Sequence, residues 1–175
     1  MEFRDVLLER FEWIDGHADV LGLLTDGVFL AQAAEALAAP FRAAGITKVA
    51  GVEARGFILG TAVALDLGVG FVAIRKHGAI HPGPKAVIRA APDWRGNTAE
   101  LVVQRAAVTP TDRVLLVDDW IETGSQALAA RDLIEECGAH WAGVTVLVDQ
   151  AQEATRRRLE PVAAVVAFDA LPPST

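Results

Sequence analysis

Apolar residues in this chain fall into two rhythms. Ile46–Val52, Gly70–Ile74, Arg113–Val117, Ala142–Val148 and Val162–Phe168 are short, almost continuously apolar and rich in β-branched residues, the pattern of buried strands. The stretches between them carry helical spacing. Phe3, Val6, Leu7 and Phe11 predict a short helix over residues 3–11, and the alanine-rich run from Val28 to Ala44 predicts a helix that Pro40 must bend or split and Gly45 ends. Gly56–Leu67, Ser125–Cys137 (closed by Gly138) and residues 150–159 read as further helices. Residues 12–26, with scattered glycines and acids, read as irregular. Glu100–Val103 reads as one more short strand, within or beyond a segment over 76–98. That segment is rich in Gly and Pro, too long for an ordinary connection, and is expected to be a functional flap.

Continuous apolar strands alternating with amphipathic helices predict an α/β fold, a doubly wound, mostly parallel sheet with helices on both faces. Ligands of such sheets bind outside the carboxyl ends of the strands. The loops after Val52, Ile74 and Val117 are therefore where chemistry is expected.

Composition narrows the class. A chain of 175 residues with 52% hydrophobic and 22% charged residues suits one well-cored domain and excludes a disordered or fibrous protein. Mean hydropathy is +0.31, much of it from alanine. No charge-free stretch reaches the roughly 18 apolar residues of a spanning helix. Charges begin at Glu2, Arg4 and Asp5, unlike a signal peptide. The single cysteine, Cys137, has no internal partner, so a reducing, cytoplasmic setting is expected. A net charge of −7 argues against a non-specific nucleic-acid binder. Residues 50–96 differ, with six basic side chains against three acidic, while the remainder carries −10. A basic centre in an acidic chain is either a site for a small polyanion or uneven scatter.

The richest stretch runs from Val114 to Ala127, Val-Leu-Leu-Val-Asp-Asp-Trp-Ile-Glu-Thr-Gly-Ser-Gln-Ala. Four apolar residues build a strand, two carboxylates follow at its carboxyl end, and a Thr-Gly-Ser turn leads into a helix. Amides at a helix N-terminus, with hydroxyls beside them, form an anion site, and glycine lets the backbone approach closely. Asp118 and Asp119 can accept hydrogen bonds from paired sugar hydroxyls or orient a magnesium ion. The plain reading, a strand end followed by a capped helix, accounts for either half but not for both at this spacing. No G-x-x-x-x-G-K-[ST] loop is present, which argues against a P-loop nucleotide hydrolase.

This stretch resembles the phosphoribosyl-diphosphate (PRPP) motif of type I phosphoribosyltransferases. Gly51-Val52-Glu53-Ala54-Arg55-Gly56-Phe57 and Arg75-Lys76-His77-Gly78 resemble the adenine-specific branch, as does the run from Ala99 through Thr109-Pro110 to Arg113. The likeness covers residues 46–150. It implies a single domain over 1–175, with a hood and N-terminal helices over 1–45 and a PRPP-binding core over 46–170 that carries the flap. The implied activity is transfer of the 5-phosphoribosyl group from PRPP to a purine base, most simply adenine, giving AMP and diphosphate in purine salvage. Magnesium as cofactor, PRPP and a purine as ligands, and a homodimer go with it.

Roles follow on the matching residues. Asp118 and Asp119 would hold the ribose hydroxyls, with magnesium nearby, and Thr123, Gly124, Ser125, Gln126 and Ala127 the 5-phosphate. Glu53, Ala54, Arg55, Arg75 and Lys76 would face the diphosphate, Arg55 as a bidentate guanidinium and Lys76 as a point charge. Arg75 would do the same or reach across a dimer interface.

The chain departs from the adenine pattern in four places. Glu122 stands where relatives carry alanine, while 6-oxopurine enzymes place an acid there, so it is either a general acid/base or a carboxylate facing solvent. Asp93 and Trp94 replace the flap's acidic-aromatic pair, leaving Asp93 as a second catalytic candidate. Ala79 replaces a lysine in the diphosphate loop, with His81, Lys85 and Arg89 as substitutes. His77 and His81 lie among Gly and Pro, a poor metal pair. The hood reads His17-Ala18-Asp19-Val20, with Trp13 or Phe11 available to stack on a base or to pack the core. The alternatives are transfer to a 6-oxopurine or another base, and a regulator that binds PRPP without turnover.

Overall fold

The computed structural model describes residues 2–76, 78, 82–92 and 96–174. Nine strands and six helices are described: α1 (Phe3–Arg10), β1 (Trp13–Ile14), β2 (His17–Ala18), α2 (Val20–Leu23), α3 (Gly27–Ala38), β3 (Lys48–Val52), α4 (Arg55–Leu67), β4 (Gly70–Lys76), β5 (Lys85–Arg89), β6 (Glu100–Gln104), β7 (Arg113–Ile121), α5 (Ser125–Glu136), β8 (His140–Asp149), α6 (Glu153–Leu159) and β9 (Val162–Ala167). β3 to β9 form a seven-stranded sheet in the order β5-β6-β4-β3-β7-β8-β9. The block β4-β3-β7-β8-β9 is parallel, and β6 and β5 extend it antiparallel at one edge.

Alternation along the central strands divides the core. Val49, Leu115, Val117 and Leu147 face α1, α3 and α4, while Ala50, Val114, Leu116, Val144 and Val146 face α5. Both faces of the central strands β3, β7 and β8 are thus dry, which is why they read as almost unbroken apolar runs. From β3 the chain builds outward to β4 on one side and to β7 on the other. The crevice between the carboxyl ends of β3 and β7 is therefore the topological switch point, where doubly wound sheets bind ligands.

The opposite end of these strands is clamped by Asp112. Its carboxylate accepts from the Thr47 hydroxyl at 2.9 Å and from the Thr109 amide and hydroxyl at 2.7 and 2.8 Å, with Lys48 Nζ at 3.1 Å. Desolvation opposes ionisation, but the Thr109, Lys48 and Thr47 bonds outweigh it and lower the pKa to about 2.

The structure differs from the sequence pattern in four places. β7 continues through Asp118 and Asp119 to Ile121, because β8 pairs with it as far as Ile121 opposite Asp149. Residues 12–26 hold a two-residue hairpin, β1 with β2, and the short helix α2, whose cap is the Asp19 carboxylate accepting from Gly22 N at 2.9 Å. The expected flap is not all loop, since Lys85–Arg89 pairs along β6. β9 stops at Ala167, and Phe168–Ala170 form a 3₁₀ turn. Pro40 acts as expected: α3 ends at Ala38 and a 3₁₀ turn follows over Ala39–Phe41. No helix among the described residues is long and apolar enough to cross a membrane.

Candidate active site

At the switch point lies a cavity of about 680 Å³. Its floor is made by two glycines that let backbone pack on backbone. A Cβ on Gly51 would meet Gly56 O at 2.1 Å, and one on Gly56 would meet Val117 O at 3.0 Å. The start of α4 is thereby set down against the end of β7, bringing Arg55 beside the Asp118–Asp119 pair. The Glu53–Ala54 peptide in this turn is cis.

Asp119 is 3% exposed. Its Oδ2 lies 3.0 Å from Arg55 Nε and accepts no hydrogen bond among the described residues. Asp118 Oδ1 accepts from the Asp119 amide at 2.9 Å. Desolvation, then the neighbouring Asp119 charge, push the Asp118 carboxyl well above the ordinary carboxylate range. Two adjacent carboxylates, one with an unsatisfied oxygen, call for hydrogen-bond donors or a cation. Among the described residues no group of three acidic, His or Cys side chains could hold a metal ion. A pair of carboxylates with an unpaired oxygen fits a hard cation that takes its other oxygen ligands from water or a bound anion.

Another side of the cavity is the turn into α5. Gly124 caps the helix with φ +76°, a conformation that favours glycine. Thr123 Oγ1 accepts from Ser125 N at 3.3 Å and donates to Ser125 Oγ at 3.1 Å. The Thr155 side chain of α6 packs beneath, and a Cβ on Gly124 would meet its Cγ2 at 2.3 Å. Hydroxyls and helix N-terminal amides therefore converge where an anion is favoured.

Across the cavity, Glu53 Oε2 accepts from Lys76 N at 3.0 Å, and its Oε1 lies 3.6 Å from Arg75 NH2. The Lys76 amide lowers the Glu53 pKa against opposing desolvation, and the Arg75 charge adds to the effect. Glu53 thus tethers the end of β4 to the end of β3.

The remaining wall is aromatic. The Trp120 ring lies 6.2 Å from Trp13, 6.4 Å from Phe11 and 5.8 Å from Phe168. Trp13 Nε1 donates to Pro172 O at 2.8 Å, and Trp120 Nε1 to Gln150 Oε1 at 3.0 Å.

One cavity therefore collects Glu53, Ala54, Arg55, Lys76, Asp118, Asp119, Glu122, Thr123, Gly124, Ser125, Gln126 and Ala127. Arg75 is not part of its lining and touches it through Glu53. Asp93, Trp94, His77, Ala79 and His81 lie outside the described residues. Of the hood, His17, Ala18 and Trp13 line the cavity, while Phe11 stands behind Trp13 and is 5% exposed. The sequence pattern did not mark Leu21, Trp120, Gln150 or Phe168 as lining residues. Gln150 and Phe168 directly follow β8 and β9, so the strand-end rule applied to all five parallel strands would have found them.

A family model, the phosphoribosyl transferase domain, matches residues 20–165. The chain belongs to the phosphoribosyltransferase family. Within this family it is 42% identical over 153 residues to the adenine phosphoribosyltransferase of Streptomyces coelicolor, covering 87% of this chain and 82% of that one. The adenine phosphoribosyltransferase structure from Rhodothermus marinus superposes with TM-score 0.83 at 31% identity, covering 95% of this chain and 98% of the other. That from Giardia lamblia, complexed with 9-deazaadenine, gives the same TM-score, identity and coverage. The phosphoribosyltransferase fold and the enzyme class expected from the motif are thus shown.

Proposed function

We propose that this phosphoribosyltransferase transfers the 5-phosphoribosyl group of PRPP to adenine, giving AMP and diphosphate. One observation carries the reading. A single cavity joins a hydroxyl-lined helix N-terminus, an acidic pair, two cationic side chains and an aromatic wall, the kinds of group that phosphate, ribose, diphosphate and base require. Relatives named adenine phosphoribosyltransferase support adenine as the base.

In this reading the amides from Thr123 to Ala127 and the Thr123 and Ser125 hydroxyls hold the 5-phosphate. The Asp118–Asp119 pair accepts the two ribose hydroxyls. Arg55 and Lys76 face the diphosphate, and the aromatic wall presents the base. A ring nitrogen of adenine forms the new bond to the anomeric carbon as the bond to diphosphate breaks. Positive charge grows on the sugar beside the acidic pair, and negative charge on the leaving group beside Arg55 and Lys76. Positioning and preorganised charge supply most of the acceleration. Mg²⁺ bound to PRPP would neutralise diphosphate oxygens, with Asp118 and Asp119 as its protein-side neighbours. Glu122, at the lip between phosphate turn and aromatic wall, takes the proton the base gives up, with Asp93 as the second candidate. A homodimer belongs to the same reading, supported by apolar side chains left exposed on α4, Ile58 at 40% and Leu65 at 78%. So does a reducing cytoplasm, which suits the free Cys137 thiol.

Glu122 favours one competing reading, transfer to a 6-oxopurine. The test is diphosphate release from PRPP and Mg²⁺ with adenine, hypoxanthine, guanine and xanthine in turn. Release with adenine and not with the oxopurines is expected. Release only with an oxopurine would move the specificity, and PRPP binding with silence for every base would make the protein a PRPP-binding regulator.

A further inference from the structure

The aromatic wall carries one polar group whose direction is decided by chemistry. Gln150 sits at the carboxyl end of β8, and its backbone amide donates to Ile121 O at 2.8 Å, holding it beside β7. Its side-chain Oε1 accepts from Trp120 Nε1 at 3.0 Å. An indole N–H only donates, so the amide must turn its carbonyl to Trp120 and keep both Nε2 hydrogens for another partner. The indole is itself held among Trp13, Phe11 and Phe168. Gln150 lines the cavity together with Trp13, Trp120 and Phe168, on the aromatic side and not among the turn of residues 123–127.

A donor displayed on an aromatic wall needs an acceptor once a ligand displaces water, because an unmade bond there costs more than a made one returns. A flat heterocycle between rings offers such an acceptor in its own plane, the lone pair of a ring nitrogen. We infer that Gln150 is a base-binding residue, donating an Nε2 hydrogen bond to a ring-nitrogen acceptor of the purine while Trp120 holds its carbonyl. This rests on the phosphoribosyltransferase reading above and deepens it by naming a residue that reads the base.

Two variants separate donation from scaffolding. Gln150→Glu keeps an oxygen for Trp120 Nε1 and removes the donors, and Gln150→Met keeps the side-chain length with neither. Both should raise KM for adenine roughly five- to tenfold, within the range one hydrogen bond spans, and leave KM for PRPP within about twofold. Inhibition by 1-, 3- and 7-deazaadenine, each lacking one ring-nitrogen acceptor, should then name the contact. In the parent protein one of the three should bind about five- to tenfold more weakly than the others, and in both variants that difference should vanish. Unchanged KM for adenine in both variants would overturn the inference. A rise in Gln150→Met alone would assign the effect to anchoring Trp120, and a rise in Gln150→Glu alone to charge, each also overturning it. If the parent protein uses another base and not adenine, the proposed substrate falls, and the same variants with that base and its deaza analogues decide the role of Gln150. A parent protein silent with every base would overturn both.

Discussion

Substituting Gly124 by alanine separates two physical costs in the turn into α5. The residue has φ +76°, and its added methyl would come to 2.3 Å from Thr155 Cγ2. Left-handed backbone costs a residue with a Cβ about 1–2 kcal/mol. Overpacking typically adds about 1–3 kcal/mol when the neighbour is held in place. Together these give about 2–5 kcal/mol, or roughly 5–15 °C in Tm for a chain of this size. The second cost has a remedy, because Thr155→Ser removes the offending methyl and keeps the hydroxyl that donates to Thr123 O at 3.4 Å. The double variant should therefore recover about 1–3 kcal/mol and retain the backbone cost. Thermal unfolding of the four proteins in the cycle measures both terms, and KM for PRPP follows the turn's geometry. The reasoning fails if Gly124→Ala is as stable as the parent, or if Thr155→Ser lowers both backgrounds equally and rescues nothing.

Other expectations concern charge. Asp112, with a folded pKa of about 2 against an ordinary 3.8, contributes stability that is complete above about pH 4 and lost as pH falls through about 2. Discounted for its place at the rim of the strands, the contribution is roughly 1–2 kcal/mol. Asp112→Asn should thus lower Tm at pH 7 with unchanged KM values, and the gap to the parent should close between pH 4 and pH 2 in unfolding scans. Arg55→Lys should raise KM for PRPP at least about tenfold with little effect on KM for the base, since a point charge replaces a bidentate fork in steady-state kinetics. Glu122→Ala should lower kcat more than it raises KM for PRPP, and the reverse split would remove Glu122 from proton transfer.

The sequence made the parallel block legible because its central strands are dry on both faces, so Val114–Val117 is wholly apolar and Thr145 is the one polar side chain within Ala142–Val148. The cavity side formed by the turn into α5 was legible for a similar reason: its residues are continuous in sequence, from Asp118 to Ala127. The reach of β7 to Ile121 was hidden because two carboxylates look like a strand's end, whereas pairing with β8 carries them inside it. β5 was hidden in a Gly- and Pro-rich segment whose pattern, Ala86 inward with Val87 outward, is too short to separate from a loop. The aromatic wall was the least legible, because Trp13, Trp120, Gln150 and Phe168 come from four separate elements and meet only when the sheet is assembled. Glu53 has a part the sequence pattern did not show: it accepts from the Lys76 amide and ties two strand ends together.

The most direct test of the account joins the activity to the cavity. AMP formation from PRPP and adenine with Mg²⁺ should be measured in the parent protein and in the Asp118→Asn, Asp119→Asn double variant, with circular dichroism confirming that both are folded. The account predicts AMP from the parent and none detectable from the double variant at equal protein. Parent-like AMP formation by the folded double variant would contradict it, since the pair at the end of β7 would then not be where the ribose is held.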